Sequence, residues 1–199
     1  MLVEFLQRTR PLRRLFHWTG SVRGNELVER FAGLIQPNES VLDIGSGNCN
    51  ICENLRARGI DITPLDVKNL SFVDSISPLI YDGRTIPFPD DRFEVGLLIT
   101  VLHHTPDPDA ILREAARVCK RLIIIEDIYS NRWHKYVTFT MDSLLNADFF
   151  DHPHTNKSDP EWRGLFDRLG LRILHAAYLW SFLVFRHATY HLERCSRKS

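Results

Sequence analysis

Three acidic residues, each closing a short apolar run, carry the chemistry that this sequence offers: Asp43, Asp66 and Asp82. The first stands in Val41-Leu42-Asp43-Ile44-Gly45-Ser46-Gly47-Asn48, where two glycines let the chain turn tightly and approach a ligand without an intervening Cβ. Asn48 is placed to cap a following helix, whose free N–H groups and positive dipole end attract an anion. Asp43 lies too early to cap that helix and reads as an acceptor for an ammonium or a hydroxyl. A dipole end and a carboxylate side by side suit a zwitterion. Asp66 is placed to accept both hydroxyls of a ribose, and Asp82, before Gly83, the exocyclic amine of an adenine. Each acid alone is more often a turn residue; in this order they describe a site for an adenosine-containing zwitterion.

A second group could move a proton. His103 and His104 follow the apolar run Phe93 to Thr100, while Glu126 closes the run that begins at Leu122 and Asp127 and Tyr129 follow it. A histidine or a carboxylate with a tuned pKa is the usual general base for a hydroxyl or an acidic carbon. His104 is the first choice, with His103 and Asp127 behind it, against the plainer reading that they pack. Cys49 and Cys52 form a C-x-x-C, but inside the glycine turn and the first helical turn, with no second pair to complete a metal site. His152-Pro153-His154 has no further ligand fixed by spacing. No metal is expected.

The elements that must position these residues alternate. Val41–Ile44 reads as a buried parallel strand, Cys49–Arg58 as a helix closed by Gly59, and 61–67 as a second strand made edge-like by Pro64. A third strand covers Leu79–Gly83, a fourth Phe93–Thr100, a helix Asp107–Cys119 and a fifth strand Leu122–Glu126. Strands separated by helices predict an α/β, Rossmann-like doubly wound sheet, mostly parallel, with helices on both faces. A helix begun at Ser158 or Asp159 with Pro160 runs to Gly170. Leu171–Leu179 and Leu183–His191 then follow each other without a helix, which requires an antiparallel hairpin at one edge.

Outside this unit, residues 2 to 18 predict two short amphipathic helices broken at Pro11, with Arg8, Arg10, Arg13 and Arg14 between the apolar positions. A break follows at Gly20–Gly24, and Asn25 starts a helix ended by Pro37. Residues 131 to 147 have helical spacing and precede a loop rich in His, Pro and Asn. The expected layout is one domain over 1–199: a helical cover at 1–24, a cofactor-binding core at 25–127, a candidate lid at 128–157, a C-terminal helix and hairpin at 158–191, and a tail at 192–199. Trp18, Trp133, Tyr136, Phe139, Phe149 and Phe150 make cover and lid aromatic, which favours an apolar or aromatic small-molecule acceptor.

Composition narrows the partners. Lys+Arg and Asp+Glu both total 25 in 199 residues, so no global field favours nucleic acid. The arginines of residues 8–14 instead offer a local contact with an anionic or membrane surface. No apolar run approaches the roughly 18 residues of a membrane span, and four cysteines in a chain of this length read as reduced thiols, so a cytoplasmic protein is expected.

The segments VLDIGSGN (41–48), PLDV (64–67), YDGRTIPFPDDRFEVGLLITVLHHTPDP (81–108), ILREAARVCKRLIIIED (111–127) and EWRGLFDRLGLRI (161–173) together resemble the class I S-adenosylmethionine-dependent methyltransferases. The likeness is to the small-molecule branch that includes ubiquinone and menaquinone methyltransferases, and it covers residues 25 to 190. It implies a seven-stranded sheet and S-adenosylmethionine as cofactor. Asp43, Gly45, Ser46 and Gly47 would hold the methionine part, Asp66 with Val67 the ribose, and Asp82 the adenine, with Gly83 and Thr100 alongside. Cys49 stands where the family often has a third glycine, and the quinone enzymes' N-terminal signatures are absent. No Asn-Pro-Pro-aromatic motif follows strand 4, so methylation of nucleic-acid amino groups is not expected. An NAD-dependent oxidoreductase would need G-x-G-x-x-G, and position 50 is Asn. The remaining alternative is a cofactor-binding homologue without catalysis.

Overall fold

A computed structural model describes residues 2–129, 157–181 and 185–195. Its sheet has seven strands: β1 (Ser40–Ile44), β2 (Asp61–Asp66), β3 (Leu79–Ile80), β4 (Phe93–Ile99), β5 (Cys119–Ile128), β6 (Leu171–Ser181) and β7 (Phe185–Arg194). They lie in the order β3-β2-β1-β4-β5-β7-β6. The first five run parallel, and β7 pairs antiparallel with both β5 and β6. This is the doubly wound sheet with a C-terminal hairpin that the alternation of elements predicts.

Strand order reverses between β1 and β4, so the crevice beyond the carboxyl ends of those strands is where such a sheet takes a ligand. The inner strands β1, β4 and β5 are buried on both faces because helices cover both. Leu42, Ile44, Leu98, Leu122 and Ile124 face one core with α4 (Pro108–Val118) and α5 (Asp159–Arg168). Val41, Val95, Leu97, Ile123 and Ile125 face another with α3 (Asn50–Ala57) and the C-terminal end of α2 (Arg10–Glu29). Alternate residues of a strand therefore serve opposite layers, which separates neighbouring site residues below.

Local chemistry sets the helix starts. Asp107 accepts a hydrogen bond from Ala110 N–H at 2.9 Å ahead of Pro108, and Ser158 N–H donates to the Glu161 carboxylate at 2.7 Å ahead of Pro160. Before β1 the chain differs from the sequence expectation. A short α1 (Leu2–Arg8) precedes α2, which runs unbroken for 20 residues across the expected break at Gly20–Gly24 and across the 24/25 boundary. Pro11 sits in the first turn of α2, where no N–H is needed, so the expected interruption between two helices falls just before it, at Thr9. The glycines fit because α2 crosses the start of α3 closely. A Cβ at Gly20 would lie 2.6 Å from Asn50 Oδ1, and one at Gly24 3.3 Å from Asn50 Cβ.

Other bounds shift. β3 has only two residues, so Asp82 and Gly83 lie beyond it in a turn; β5 starts at Cys119; β7 continues through residues assigned to the tail. Pro64 is tolerated in β2 because β3 reaches only Leu65 and Asp66, leaving β2 without a second neighbour at the proline. The expected helix at 131–147 and the His152-Pro153-His154 loop lie outside the described residues, as does most of the candidate lid.

Candidate functional site

Left-handed backbone follows the carboxyl ends of three strands. Gly45 (φ 77°), Gly47 (φ 50°) and Cys49 (φ 62°) follow β1, Gly83 (φ 74°) follows β3, and Thr100 (φ 54°) follows β4. A β-branched residue in the left-handed region is unusual, and Thr100 is held there by its N–H bonding Ile125 O at 2.7 Å. Gly45 is required twice over, since besides its φ a Cβ would lie 2.2 Å from Val101 Cγ2. Gly47 is different. The nearest atom to a Cβ there is Gly45 O at 4.0 Å, so this glycine faces open space rather than a neighbour.

The turn is tied to β2. Gly45 N–H and Ser46 N–H donate to Leu65 O at 2.8 and 3.1 Å, and Gly47 N–H donates to Asp66 Oδ2 at 2.8 Å. Asp66 Oδ1 accepts from Val67 N–H at 2.7 Å. The turn after β1 and the acid after β2 are thus one unit, with Val67 exposed at its rim. Asn48 Oδ1 accepts from Asn50 N–H at 3.1 Å, but Cys49 occupies the cap position itself, in the conformation a glycine would take. Asp82 stays exposed and accepts from Arg84 N–H and Thr85 N–H at 2.8 and 2.9 Å, which holds its carboxyl below the usual range.

Asp43 is buried on the α3 face, where Cys52 Sγ donates to its Oδ2 at 3.1 Å. Burial raises its pKa to about 6, against the thiol contact and with help from the Asp66 charge. A buried carboxylate whose hydrogen bond comes from a thiol fits an ammonium well. Burial pushes up the pKa of both Cys49 and Cys52, so neither thiol has the thiolate character that redox or metal chemistry needs.

The proton-transfer candidates fall into two places. Glu126 faces the α4 layer and accepts from Val101 N–H at 3.0 Å, Leu102 N–H at 2.7 Å and His103 Nδ1 at 2.6 Å. It pins the 3₁₀ turn Leu102–His104, with His103 buried beside it. The His104 ring lies 4.0 Å from that of His103 and is only half-buried. Asp127, one residue further along β5, points to the opposite face. There its Oδ1 lies 3.2 Å from Nδ1 of His187, its partner across the β5–β7 ladder. Burial, then Arg30 at the C-terminal cap of α2 and Arg23 within that helix, hold His187 down to about 4, so it stands neutral at pH 7. Asp127 is therefore not grouped with the two histidines after β4. His187 escaped sequence reading because nothing before the antiparallel pairing brings it to Asp127.

The glycine turn, the buried Asp43 and the acid bonded to Gly47 form a polar cradle with room above Gly47, of a chemistry that fits S-adenosylmethionine. Residues 42–123 match a methyltransferase domain family. A ubiquinone biosynthesis O-methyltransferase from Proteus mirabilis is 29% identical over 123 residues, covering 56% of this chain and 47% of that protein. Among solved structures, magnesium protoporphyrin IX methyltransferase from Synechocystis PCC 6803, with bound SAH, superposes with a TM-score of 0.65 at 13% identity, covering 88% of this chain and 84% of the other. A SAM-dependent methyltransferase from Aquifex aeolicus gives 0.61 at 18% identity, with 85% and 89% covered. The chain spans about half the length of the curated relatives it matches.

Proposed function

We propose that this chain is a class I S-adenosylmethionine-dependent methyltransferase that methylates a small apolar or aromatic acceptor, a reading supported by the matched domain segment and the sheet order. The carrying observation is the single unit made by Asp43, the strained glycine turn and Asp66 at the switch point between β1 and β4. Asp43, Gly45, Ser46 and Gly47 hold the amino-acid part, Asp66 and Val67 face the ribose, and Asp82, Gly83 and Thr100 border the adenine. Bound there, the cofactor would supply a methyl group already activated on a sulfonium, whose sulfur would leave as a neutral thioether.

The work left to the protein is positioning in a dry pocket. Glu126 fixes the turn after β4, and His103 is held with it. His104, half-buried at the end of the same turn, is the residue we assign to accept a proton from the acceptor. Asp127 and His187 face each other on the opposite side of the sheet from that turn. A cytoplasmic location is part of the proposal, supported by the buried free thiols of Cys49, Cys52 and Cys119.

Calorimetric titration tests the reading. S-adenosylmethionine should bind with one-to-one stoichiometry and NAD should not; binding of NAD alone would overturn it. Turnover of no member of a library of phenols, hydroquinones and related aromatic acceptors, with the donor bound, would favour a binding protein without catalysis.

A further inference from the structure

The two faces of α2 differ in kind. Its inner face is fixed to the core domain: Phe16 stacks on Phe72 at 5.3 Å, Arg13 donates to Phe72 O and pairs with Asp74, and His17 meets Glu53 at 2.7 Å. Asn50 of α3 donates to His17 O at 3.0 Å and to Ser21 Oγ at 2.7 Å. The outer face carries Leu15 (52% exposed), Trp18 (65%) and Val22 (57%), which helical spacing puts within one narrow stripe. Phe5 of α1 is 60% exposed.

The stripe is confined to the stretch from Leu15 to Val22. Gly20 lies against Asn48 and Asn50, so this stretch stands beside the glycine turn. Further along, Leu27 and Val28 enter the core, and the outer face turns polar at Asn25, Glu26 and Glu29. Beside the apolar stretch, Arg8, Arg10 and Arg14 are exposed. With Arg13 they line an open cavity of about 680 Å³ between the two helices and residues 72–75. From residue 2 to 22 the acids number one, Glu4, against these four arginines, in a chain whose total charge is zero.

We propose that this stretch of α2, with α1, docks on an anionic lipid bilayer. Leu15, Trp18 and Val22 enter the interface while Arg8, Arg10 and Arg14 meet lipid phosphates. An apolar stripe flanked by arginines, with a Trp at its centre, is the chemistry of an interfacial helix. A second copy of the chain suits the same face poorly, because a two-fold contact would set these arginines against their own counterparts. Docking there brings the mouth of the site to the bilayer surface, where an apolar acceptor would be met. The proposal does not depend on the methyl-transfer reading, and its test uses no donor.

The full chain is sedimented with vesicles of phosphatidylcholine alone and with vesicles containing about one third phosphatidylglycerol. Binding to the anionic vesicles should be at least about tenfold stronger, and should fall steeply as salt shortens the Debye length from about 10 Å to about 3 Å. Leu15→Ser/Trp18→Ser/Val22→Ser should lose about tenfold in partitioning with an unchanged circular dichroism spectrum. Arg10→Glu/Arg14→Glu should abolish the anionic preference. Absence of binding to the anionic vesicles, or equal binding by the triple variant, would overturn the proposal. So would a native dimer that the triple variant converts to monomer.

Discussion

The Cys52 thiol donates to the buried Asp43 carboxylate at 3.1 Å, which leaves a site-edge acid at the switch point with a weak donor and a pKa of about 6. Because the folded pKa exceeds the unfolded value of 3.8, stability from this group is full below about pH 4 and is lost as pH rises through 6. Asp43→Asn should therefore be more stable than the native chain at pH 7.5, by on the order of 2–3 kcal/mol, and show little advantage at pH 4. The same variant should bind S-adenosylmethionine more weakly. For the native chain, donor affinity should decline below pH 6 as Asp43 takes up a proton. Urea unfolding and calorimetry at both pH values check the pair; an Asn variant that gains no stability at pH 7.5 would refute the burial argument.

Asp66 holds the turn and, in the proposed site, also faces the ligand. Asp66→Ala removes the acceptor for Gly47 N–H and Val67 N–H and should cost about 1–3 kcal/mol of stability. It should also weaken donor binding by more than about 1 kcal/mol, since ribose hydroxyls are left unpaired. Asp82→Ala, in an exposed turn, should cost less stability. Thermal melts with and without the donor separate the two effects, and an unchanged donor affinity in Asp66→Ala would remove Asp66 from the site.

The two glycines of the turn should fail differently. Gly45→Ala meets Val101 at 2.2 Å in a left-handed residue and should lose about 2–4 kcal/mol of stability. Gly47→Ala has open space and should lose only about 1 kcal/mol, but its methyl group projects where the donor would lie. Denaturation and calorimetry on both variants read the difference. Equal loss of donor affinity in two equally stable variants would contradict it.

Glu126→Ala strips three bonds from the turn after β4 and should destabilise the fold by on the order of 3–5 kcal/mol. His104→Ala should change stability by about 1 kcal/mol or less. If His104 takes the acceptor's proton, kcat for a hydroxyl acceptor falls by about 10²–10⁴ while donor affinity holds. A variant at full kcat would return His104 to a packing role.

Much of the fold was legible in the sequence because its signals are local. Buried parallel strands read as apolar runs, Gly59 and Gly170 close helices, Pro108 and Pro160 open them, and two strands in succession force a hairpin. The glycine turn and the acids after β2 and β3 were legible for the same reason, since residue type and order along the chain are local signals.

Contacts between elements were not legible. Gly20 and Gly24 read as a break, and only the close crossing of α2 over Asn50 turns them into a packing surface inside one helix. Glu126 and Asp127 are neighbours in the chain, yet the pleat sends one to His103 and the other to His187. Spacing could not tell that Glu126 would be bound to backbone while His104 stayed accessible. Residue order determined the chemistry at the glycine turn. The sheet decided which side chains share a face, because pleating and strand pairing join residues far apart in sequence and divide adjacent ones.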